Sequence, residues 1–131
     1  MTDLVQQTRL YFDALTNGVV GKELKAFYSI HVIQEEFPNR LMPLGARRTL
    51  DDILIGAERG KEVMANQTFD IQNIVANGSS VAVEFFWSGT AKIPIGTLQV
   101  GEIMTGHFAS FIEYRDGLII AQRSYDCFEP W

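Results

Sequence analysis

Asp126 lies in an apolar, strand-like run near the end of the chain, in the sequence "RDGLIIAQRSYDCFEPW". Because side chains alternate between the two faces of a strand, one face should carry Ile120, Gln122, Ser124 and Asp126, and the other Ile119, Ala121, Arg123, Tyr125 and Cys127. On an ordinary sheet the more polar first face would meet solvent. In an apolar cavity, desolvation would instead raise the pKa of the Asp126 carboxyl. Such a carboxylate can take a proton from a carbon acid near neutral pH.

Metal ligands and nucleophiles are the next candidates. His31 and His107 lie on different predicted strands and show neither an HxH nor an HExxH spacing. The single cysteine, Cys127, excludes an internal disulfide and a thiolate metal cluster, and we expect it to be a small buried hydrophobe. The sequence contains no glycine cradle for phosphates and no GxSxG elbow, so it predicts neither a metal nor a cofactor. Arg47 and Arg48 are expected to be loop charges, or to meet an anionic ligand at a pocket mouth.

The composition limits the classes of partner. A chain of 131 residues with 47% hydrophobic residues suits one domain with a real core, which we expect to span residues 1–131. The net charge of −5 repels phosphate backbones, so nucleic acid is not an expected partner. The sequence has neither a run of about 18 apolar residues nor the apolar segment of a signal peptide. These features predict a soluble, cytoplasmic protein that does not bind membranes.

The secondary-structure elements that must position these residues are mainly helices in the first half of the chain and strands in the second half. Apolar periodicity predicts a helix that ends at Asn17 and Gly18, a short helix in "GKELKAFY", and a third helix that begins at Thr49, with Asp52 as its capping partner. A strand is expected in "SIHVIQEEFP" and a loop in "NRLMPLGARR". After residue 66, four strands can pair as successive hairpins. The pattern predicts an α+β domain, with the helices on one face of a curved antiparallel sheet.

The strand "VAVEFFW" is apolar on both of its faces. One face carries Val81, Val83, Phe85 and Trp87, and the other carries Ala82 and Phe86. A sheet with a solvated face should alternate apolar and polar residues. Either a second subunit covers the second face, or the sheet bends tightly enough to bury both faces partly. We expect a homodimer that packs sheet to sheet.

The order of these segments resembles a known superfamily. The segments "LYFDALTNGVVGKELKAFYS", "GARRTLDDI", "FFWSGT", "SFIEYRDGLI" and the terminal "YD" are similar to those of nuclear transport factor 2-like proteins, and among these to the SnoaL-like polyketide cyclases, with ketosteroid isomerase as a more distant relation. The resemblance covers almost the whole chain. It implies a cystatin-like, cone-shaped and strongly bent sheet capped by three helices, with a deep pocket at one end.

The resemblance also implies roles for two residues. SnoaL-like cyclases carry an aspartate near this point of the last strand, as the base that removes a proton from a carbon next to carbonyl groups, and Asp126 matches that position. The segment "YFDALTNG" is similar to the isomerase segment that carries the oxyanion-stabilising tyrosine, which implies such a role for Tyr11. The alternative for Tyr11 is a core side chain with a satisfied hydroxyl.

The sequence departs from the isomerases at two places. Their base aspartate comes immediately before a proline, where this chain has Phe37 in "EEFP". Glu35 should share the strand face of Phe37 and could substitute as acid or base, or be solvated, whereas Glu36 should point the other way. The second acid of the isomerase site corresponds to the neighbourhood of "GHFASF", where His107 could supply a polar contact instead.

Two hypotheses about function follow. In the first, the protein is a cofactor-free cyclase or isomerase with Asp126 as base. Tyr11, Trp87 and His107 would shape a pocket for an apolar, carbonyl-bearing small molecule, with Gln122 and Ser124 on the strand face of the base. In the second, the same scaffold is a non-catalytic ligand-binding or interaction domain, and Asp126 only accepts a hydrogen bond.

Overall fold

The structure is a computed structural model, which describes residues 3–131. Over these residues the elements are α1 (Leu4–Thr16), α2 (Gly21–Lys25), β1 (Tyr28–Glu36), β2 (Ala46–Arg48), α3 (Leu50–Val63), β3 (Met64–Asn77), β4 (Ser80–Ala91), β5 (Ile103–Arg115) and β6 (Leu118–Phe128). The strands form one sheet in the order β2-β1-β6-β5-β4-β3. The predicted α+β fold with three helices and a curved sheet is confirmed. No helix of the described segment has both the length and the apolar character needed to cross a membrane.

Local signals in the sequence explain the helix ends. The chain leaves α1 through Gly18, whose φ of 69° suits glycine and agrees with the predicted end of the helix. At the start of α3, the Asp52 carboxylate accepts hydrogen bonds from the backbone N–H and the hydroxyl of Thr49, both at 3.0 Å. The predicted start of this helix is confirmed. Caps of this kind contribute about 1 kcal/mol each.

The sheet is mixed rather than wholly antiparallel. β1 pairs with β6 in parallel, whereas β1–β2, β3–β4, β4–β5 and β5–β6 are antiparallel. A parallel pair needs a long crossover, and here the whole segment from β2 to β5 connects β1 to β6. The predicted loop "NRLMPLGARR" contains the short strand β2, which places Arg48 opposite Gln34 and Arg47 opposite Glu35. Because side chains alternate along a strand, Arg48 faces the interior of the cone and Arg47 faces outward.

An irregularity in β6 changes which side chains reach the core. Glu113 pairs with Ala121 but Tyr114 pairs with Ile119, so Ile120 is an extra residue in β6. The strict alternation expected for this strand therefore fails at its start. Ile119, which was expected on the face opposite Gln122, is fully buried in the same core.

The core lies between the concave face of the sheet and the helices. In β4 the buried side chains include Val81, Val83, Phe85 and Trp87, which share one face as the sequence predicted. Tyr11 and Phe12 of α1, Leu24 of α2, and Leu50 and Ile53 of α3 pack against this face. The open end of this core is where β1, β2 and β6 bring their polar residues together.

Candidate active site

A cavity of about 360 Å³ lies between the concave face of the sheet and the three helices. Its aromatic wall consists of Phe12, Phe69, Phe85, Trp87, Phe108 and Phe128. Its polar side comes mainly from β1, β2 and β6, with Gln34, Glu36, Arg48, Gln122, Ser124 and Asp126. An apolar wall with a few convergent polar groups is typical of a small-molecule site. A wider surface groove of about 500 Å³ lies at the other end of the strands and contains none of these residues.

Asp126 is a carboxyl group of the cavity whose pKa is clearly shifted. It lies on β6 opposite Phe108 of β5. Desolvation by its surroundings raises the pKa of the Asp126 carboxyl to about 6, and the negative charge of Glu36 adds to this effect. The Ser124 hydroxyl and the positive charge of Arg48 act in the opposite direction. At neutral pH this carboxylate is ionised but is a stronger base than an ordinary aspartate.

A chain of polar contacts runs along the β2, β1 and β6 side of the cavity. Arg48 Nη2 lies 3.0 Å from Glu36 Oε1, and Arg48 Nη1 donates to Gln34 Oε1 at 3.4 Å. Gln34 Nε2 in turn donates to Gln122 Oε1 at 2.9 Å. The strand register explains these contacts, because Gln34 lies opposite both Arg48 and Gln122. The polar groups therefore form one connected network rather than isolated contacts.

Tyr11 lies at the inner end of this network. Its hydroxyl shares a hydrogen bond of 2.6 Å with the Tyr28 hydroxyl and accepts one from Gln122 Nε2 at 3.3 Å. Burial raises the pKa of both phenols, so both stay protonated at neutral pH. Asp126 is four residues beyond Gln122 on β6, a Cα separation of about 13 Å in a regular strand. The structure places Tyr11 in the cavity, but next to Gln122 rather than Asp126, and its catalytic role stays a prediction.

Trp87 and Phe108 form the flat part of the aromatic wall. Their rings stack with centroids 5.4 Å apart and planes 12° apart, and Phe128 meets the Trp87 ring edge-on at 5.7 Å. A Cβ at Gly106 would overlap the Phe108 ring, so glycine makes room for the stack. The Trp87 indole N–H donates to Gln67 Oε1 at 3.0 Å. Such a wall can hold a planar ring of a ligand.

Glu35 and Phe37 do not line the cavity. Their common strand face was predicted, but it is the outer face of the sheet. There the Glu35 carboxylate pairs with Arg47 at 3.5 Å and the Phe37 ring stacks on Tyr125 at 4.8 Å. Glu36 is the β1 carboxylate that faces the cavity, although it was expected to point away. The prediction that Glu35 and Glu36 point to opposite faces of β1 is correct. The choice of the Glu35 face as the inner one is wrong, because the pairing of β1 with β6 decides which face is inside.

His107 and Cys127 also lie outside the cavity. The His107 side chain is 68% exposed, and its Nε2 lies 3.1 Å from Glu129 Oε1. Since Phe108 faces inward, its neighbour His107 must face outward. The expectation of a buried Cys127 is wrong, because this side chain follows the inward-facing Asp126 and is exposed. Within residues 3–131 no three His, Cys, Asp or Glu side chains form a cluster that could hold a metal ion.

Several polar residues that line the cavity were not expected from the sequence: Gln34, Glu36, Gln67 and Ser110. Arg48 was expected near a pocket mouth only as one of two loop charges. Side chains alternate between the two faces along "QEE" and "RR". This alternation could have identified Gln34, Glu36 and Arg48 as cavity residues, once the partner strand that fixes the inner face is known. Trp87, Gln122 and Ser124 line the cavity as the sequence predicted.

The structure is a cone-shaped α+β domain with an internal cavity, and its fold is that of nuclear transport factor 2-like proteins. More narrowly, the chain belongs to the SnoaL-like domain family, whose sequence model matches residues 8–122. No curated protein matches the sequence. The predicted resemblance to the SnoaL-like proteins is thereby confirmed.

Several solved structures share the fold. A SnoaL-like polyketide cyclase from Agrobacterium tumefaciens is 19% identical, with a TM-score of 0.74 over 96% of this chain and 92% of that chain. A nuclear transport factor 2-like protein from Burkholderia xenovorans is 19% identical, with a TM-score of 0.72 over 93% and 87%. A protein with a ketosteroid isomerase-like fold from Catenulispora acidiphila, in complex with trimethylamine, is 16% identical, with a TM-score of 0.72 over 91% and 83%. At these identities the likeness shows the fold alone.

Proposed function

We propose that the protein is a cofactor-free enzyme of the cyclase or isomerase type, in which Asp126 removes a proton from a carbon next to a carbonyl group. The observation that supports this proposal is the partly desolvated Asp126 carboxylate, with a pKa of about 6, beside an aromatic wall. General-base efficiency is highest when the pKa of the base lies near the working pH. An aspartate in water is too weak a base for this task.

The size and lining of the cavity suit an apolar, carbonyl-bearing substrate. The stack of Trp87 and Phe108 offers a flat surface for a ring, and Gln122 and Ser110 offer hydrogen bonds for carbonyl oxygens. The carbanion formed by Asp126 would then attack a second carbonyl, as in a cyclisation, or take a proton back at another carbon, as in an isomerisation. Both outcomes need the same first step.

The alternative is a non-catalytic ligand-binding domain, and one observation favours a particular ligand class. Arg48 compensates the charge of Glu36, so the cavity keeps one net negative charge, on Asp126. Aromatic rings with a carboxylate can hold an organic cation. The related fold from Catenulispora acidiphila was solved with trimethylamine. Binding of trimethylammonium without any proton exchange on carbonyl compounds would favour this alternative.

The proposal predicts a specific pH dependence for proton exchange. The probe is 1-phenylbutane-1,3-dione in D₂O, whose exchange at the carbon between the carbonyls is followed by NMR. Since Asp126 must be ionised to accept a proton, kcat/KM should rise about tenfold between about pH 5 and about pH 7, with an inflection near the pKa of about 6. A reaction without enzyme supplies the background rate. An absence of enzyme-dependent exchange, or an inflection near pH 4, would contradict the proposal.

We further propose that the outer face of the sheet forms a homodimer. Phe111 and Tyr125 are 42% and 43% exposed there, and Tyr125 stacks on Phe37. Beside these rings, Arg123 pairs with Glu113 at 2.9 Å, so the face carries both signs of charge around an aromatic centre. A two-fold interface needs a patch that is complementary to itself, and this patch has that character.

The dimer proposal predicts a mass of about 30 kDa in light scattering at micromolar concentration, twice the 14.8 kDa of one chain. The substitution Phe111→Asp should return a monomer, because it would place a charge inside an apolar interface. Leu44→Asp is the matched control, since Leu44 is 95% exposed in the β1–β2 loop and should leave the mass unchanged. A monomeric wild-type protein would refute the proposal.

A further inference from the structure

Arg48 is held in place by its position in the fold. It is the last residue of β2, paired with Gln34 of β1, and the next residue, Thr49, caps α3. Both the strand ladder and the helix start therefore fix its backbone. Its side chain is 26% exposed and lines the cavity, whereas its neighbour Arg47 is 67% exposed and points to the outer face. Arg47 and Arg48 are therefore adjacent arginines of one strand, but only the Arg48 side chain lines the cavity.

The contacts of Arg48 leave part of its guanidinium available to a ligand. A guanidinium has five N–H donors in a planar fork. Among the described residues, Glu36 accepts from Nη2 at 3.0 Å and Gln34 accepts from Nη1 at 3.4 Å. The remaining donors belong to a partly desolvated cation that lies close enough to Asp126 to lower the pKa of its carboxyl. Hydrogen bonds from such a cation are stronger than those from a neutral donor.

Proton removal by Asp126 leaves a negative charge on the substrate oxygen, and that oxygen needs a donor. The Tyr11 hydroxyl is engaged with Tyr28 and Gln122, deep in the cavity. The Trp87 indole N–H is already bound to Gln67. Arg48 is the cation that lines the cavity with Asp126 in the described part of the chain.

We propose, on the basis of the function proposed above, that Arg48 stabilises the enolate oxygen and that Glu36 and Gln34 position it. Asp126 takes the proton from the carbon, and the C–H electron pair becomes the C=C bond of the enolate. The carbonyl π pair moves to the oxygen, which accepts hydrogen bonds from the Arg48 guanidinium. Asp126 is then a neutral carboxylic acid and holds the proton for a later transfer. No group leaves and no further reactant is needed.

Glu36 has a second effect in this arrangement, because it keeps Arg48 from pairing with the base. Glu36 of β1 and Arg48 of β2 are the charged groups that line the cavity with Asp126. The side chains from β3, β4, β5 and the helices are neutral, and the other titratable groups among the cavity residues are the phenols Tyr11 and Tyr28. Without the Glu36 carboxylate, Arg48 would pair with Asp126 and weaken it as a base. We therefore expect Glu36→Gln to move the inflection of the pH profile below that of wild type.

The direct test uses 4-nitrophenol, whose phenolate resembles an enolate and absorbs visible light. The background is Asp126→Asn, because the asparagine amide stands in for the neutral acid that exists after proton transfer. We expect this variant to bind phenolate at least about tenfold more tightly than phenol, as a charge-assisted hydrogen bond can provide. Adding Arg48→Met should abolish this preference, and adding Arg47→Met should leave it unchanged. An unchanged preference with Arg48→Met would overturn the inference.

A conservative variant keeps the test decisive if Arg48→Met fails to fold. Arg48→Lys retains the charge but loses the planar fork, so in the Asp126→Asn background part of the phenolate preference should remain. In the otherwise wild-type protein, Arg48→Lys should lower kcat for proton exchange more than it changes KM, because the oxygen carries charge mainly in the transition state. An Arg48→Lys protein with wild-type kcat would also overturn the inference.

The two proposals can fail separately. If wild type shows no proton exchange but phenolate binding depends on Arg48, the base role of Asp126 is refuted and Arg48 remains an oxyanion site. If exchange depends on Asp126 but phenolate binding is indifferent to Arg48, the role of Arg48 is refuted and the base remains. Circular dichroism of each variant verifies that the fold is retained.

Discussion

Replacing Asp126 by asparagine is expected to lower kcat/KM for proton exchange by about 10²–10⁴-fold, the usual contribution of a general base. Asparagine keeps nearly the same volume and hydrogen-bonding outline but cannot accept the proton. The measurement is the exchange of 1-phenylbutane-1,3-dione in D₂O at about pH 7, with the wild-type protein at equal concentration. Asp116→Asn is the matched control, because Asp116 is exposed in the β5–β6 turn and its φ of 53° is one that asparagine accepts well.

The same substitution should stabilise the folded protein at high pH. The pKa of the Asp126 carboxyl is raised by burial to about 6, so the folded state binds the proton more tightly than the unfolded state does. Between about pH 4 and about pH 6 the stability of wild type therefore falls as pH rises, and above that range the full cost is present. Asp126→Asn should be more stable than wild type by about 2 kcal/mol at pH 8, with allowance for partial exposure.

The stability gain should shrink when the pH is lowered. Near pH 4 and below, Asp126 is protonated in the folded protein, and the variant and wild type should have nearly equal free energies of unfolding. Urea denaturation at pH 8 and at pH 4 measures both values. A variant that keeps more than half of the wild-type exchange rate would refute the base assignment, and one that is less stable than wild type at pH 8 would refute the burial of the charge.

Replacing Trp87 by alanine is expected to lower the free energy of unfolding by about 3–5 kcal/mol, as for large aromatic residues in a core. Trp87 is only 5% exposed, stacks on Phe108 and contacts Phe128 edge-on. Its removal would enlarge the cavity and take one aromatic neighbour from each of these two phenylalanine rings. It would also leave the Gln67 side chain without its indole donor. Urea denaturation of both proteins at one pH, with equal m-values as a condition, gives the difference.

The control for this change is Trp87→Phe, which keeps an aromatic ring against Phe108 but removes the indole N–H. Because only the hydrogen bond to Gln67 and part of the packing are lost, the free energy of unfolding should fall by about 1–2 kcal/mol. If Trp87→Ala cost less than 1 kcal/mol, the stacked wall would not be part of the stable core. The planar surface proposed for substrate binding would then lack its support.

Local patterns in the sequence determined most of the secondary structure. The apolar stripe of α1 and the capping residues Thr49 and Asp52 of α3 are contained within a few neighbouring positions, so they can be recognised without the fold. The period of two in a strand similarly predicted that Val81, Val83, Phe85 and Trp87 share one face of β4, although "VAVEFFW" is apolar on both faces. The common face of Gln122, Ser124 and Asp126 follows from the same rule.

Tertiary structure alone decided which of these faces is inside. Alternation shows that Glu35 and Glu36 point in opposite directions, but the side that meets the cavity depends on pairing with β6, where Gln34 reaches Gln122 across 88 positions of sequence. The pairing of β2 with β1 brings Arg48, in a segment expected to be a loop, to the Glu36 carboxylate, on the side of the cavity where Asp126 lies. The sequence by itself therefore indicated the α+β class, the family and the candidate base, but not the parallel pairing of β1 with β6. The charged neighbours that act on the pKa of the Asp126 carboxyl, Glu36 and Arg48, are brought there by long-range strand pairing, which no local pattern encodes.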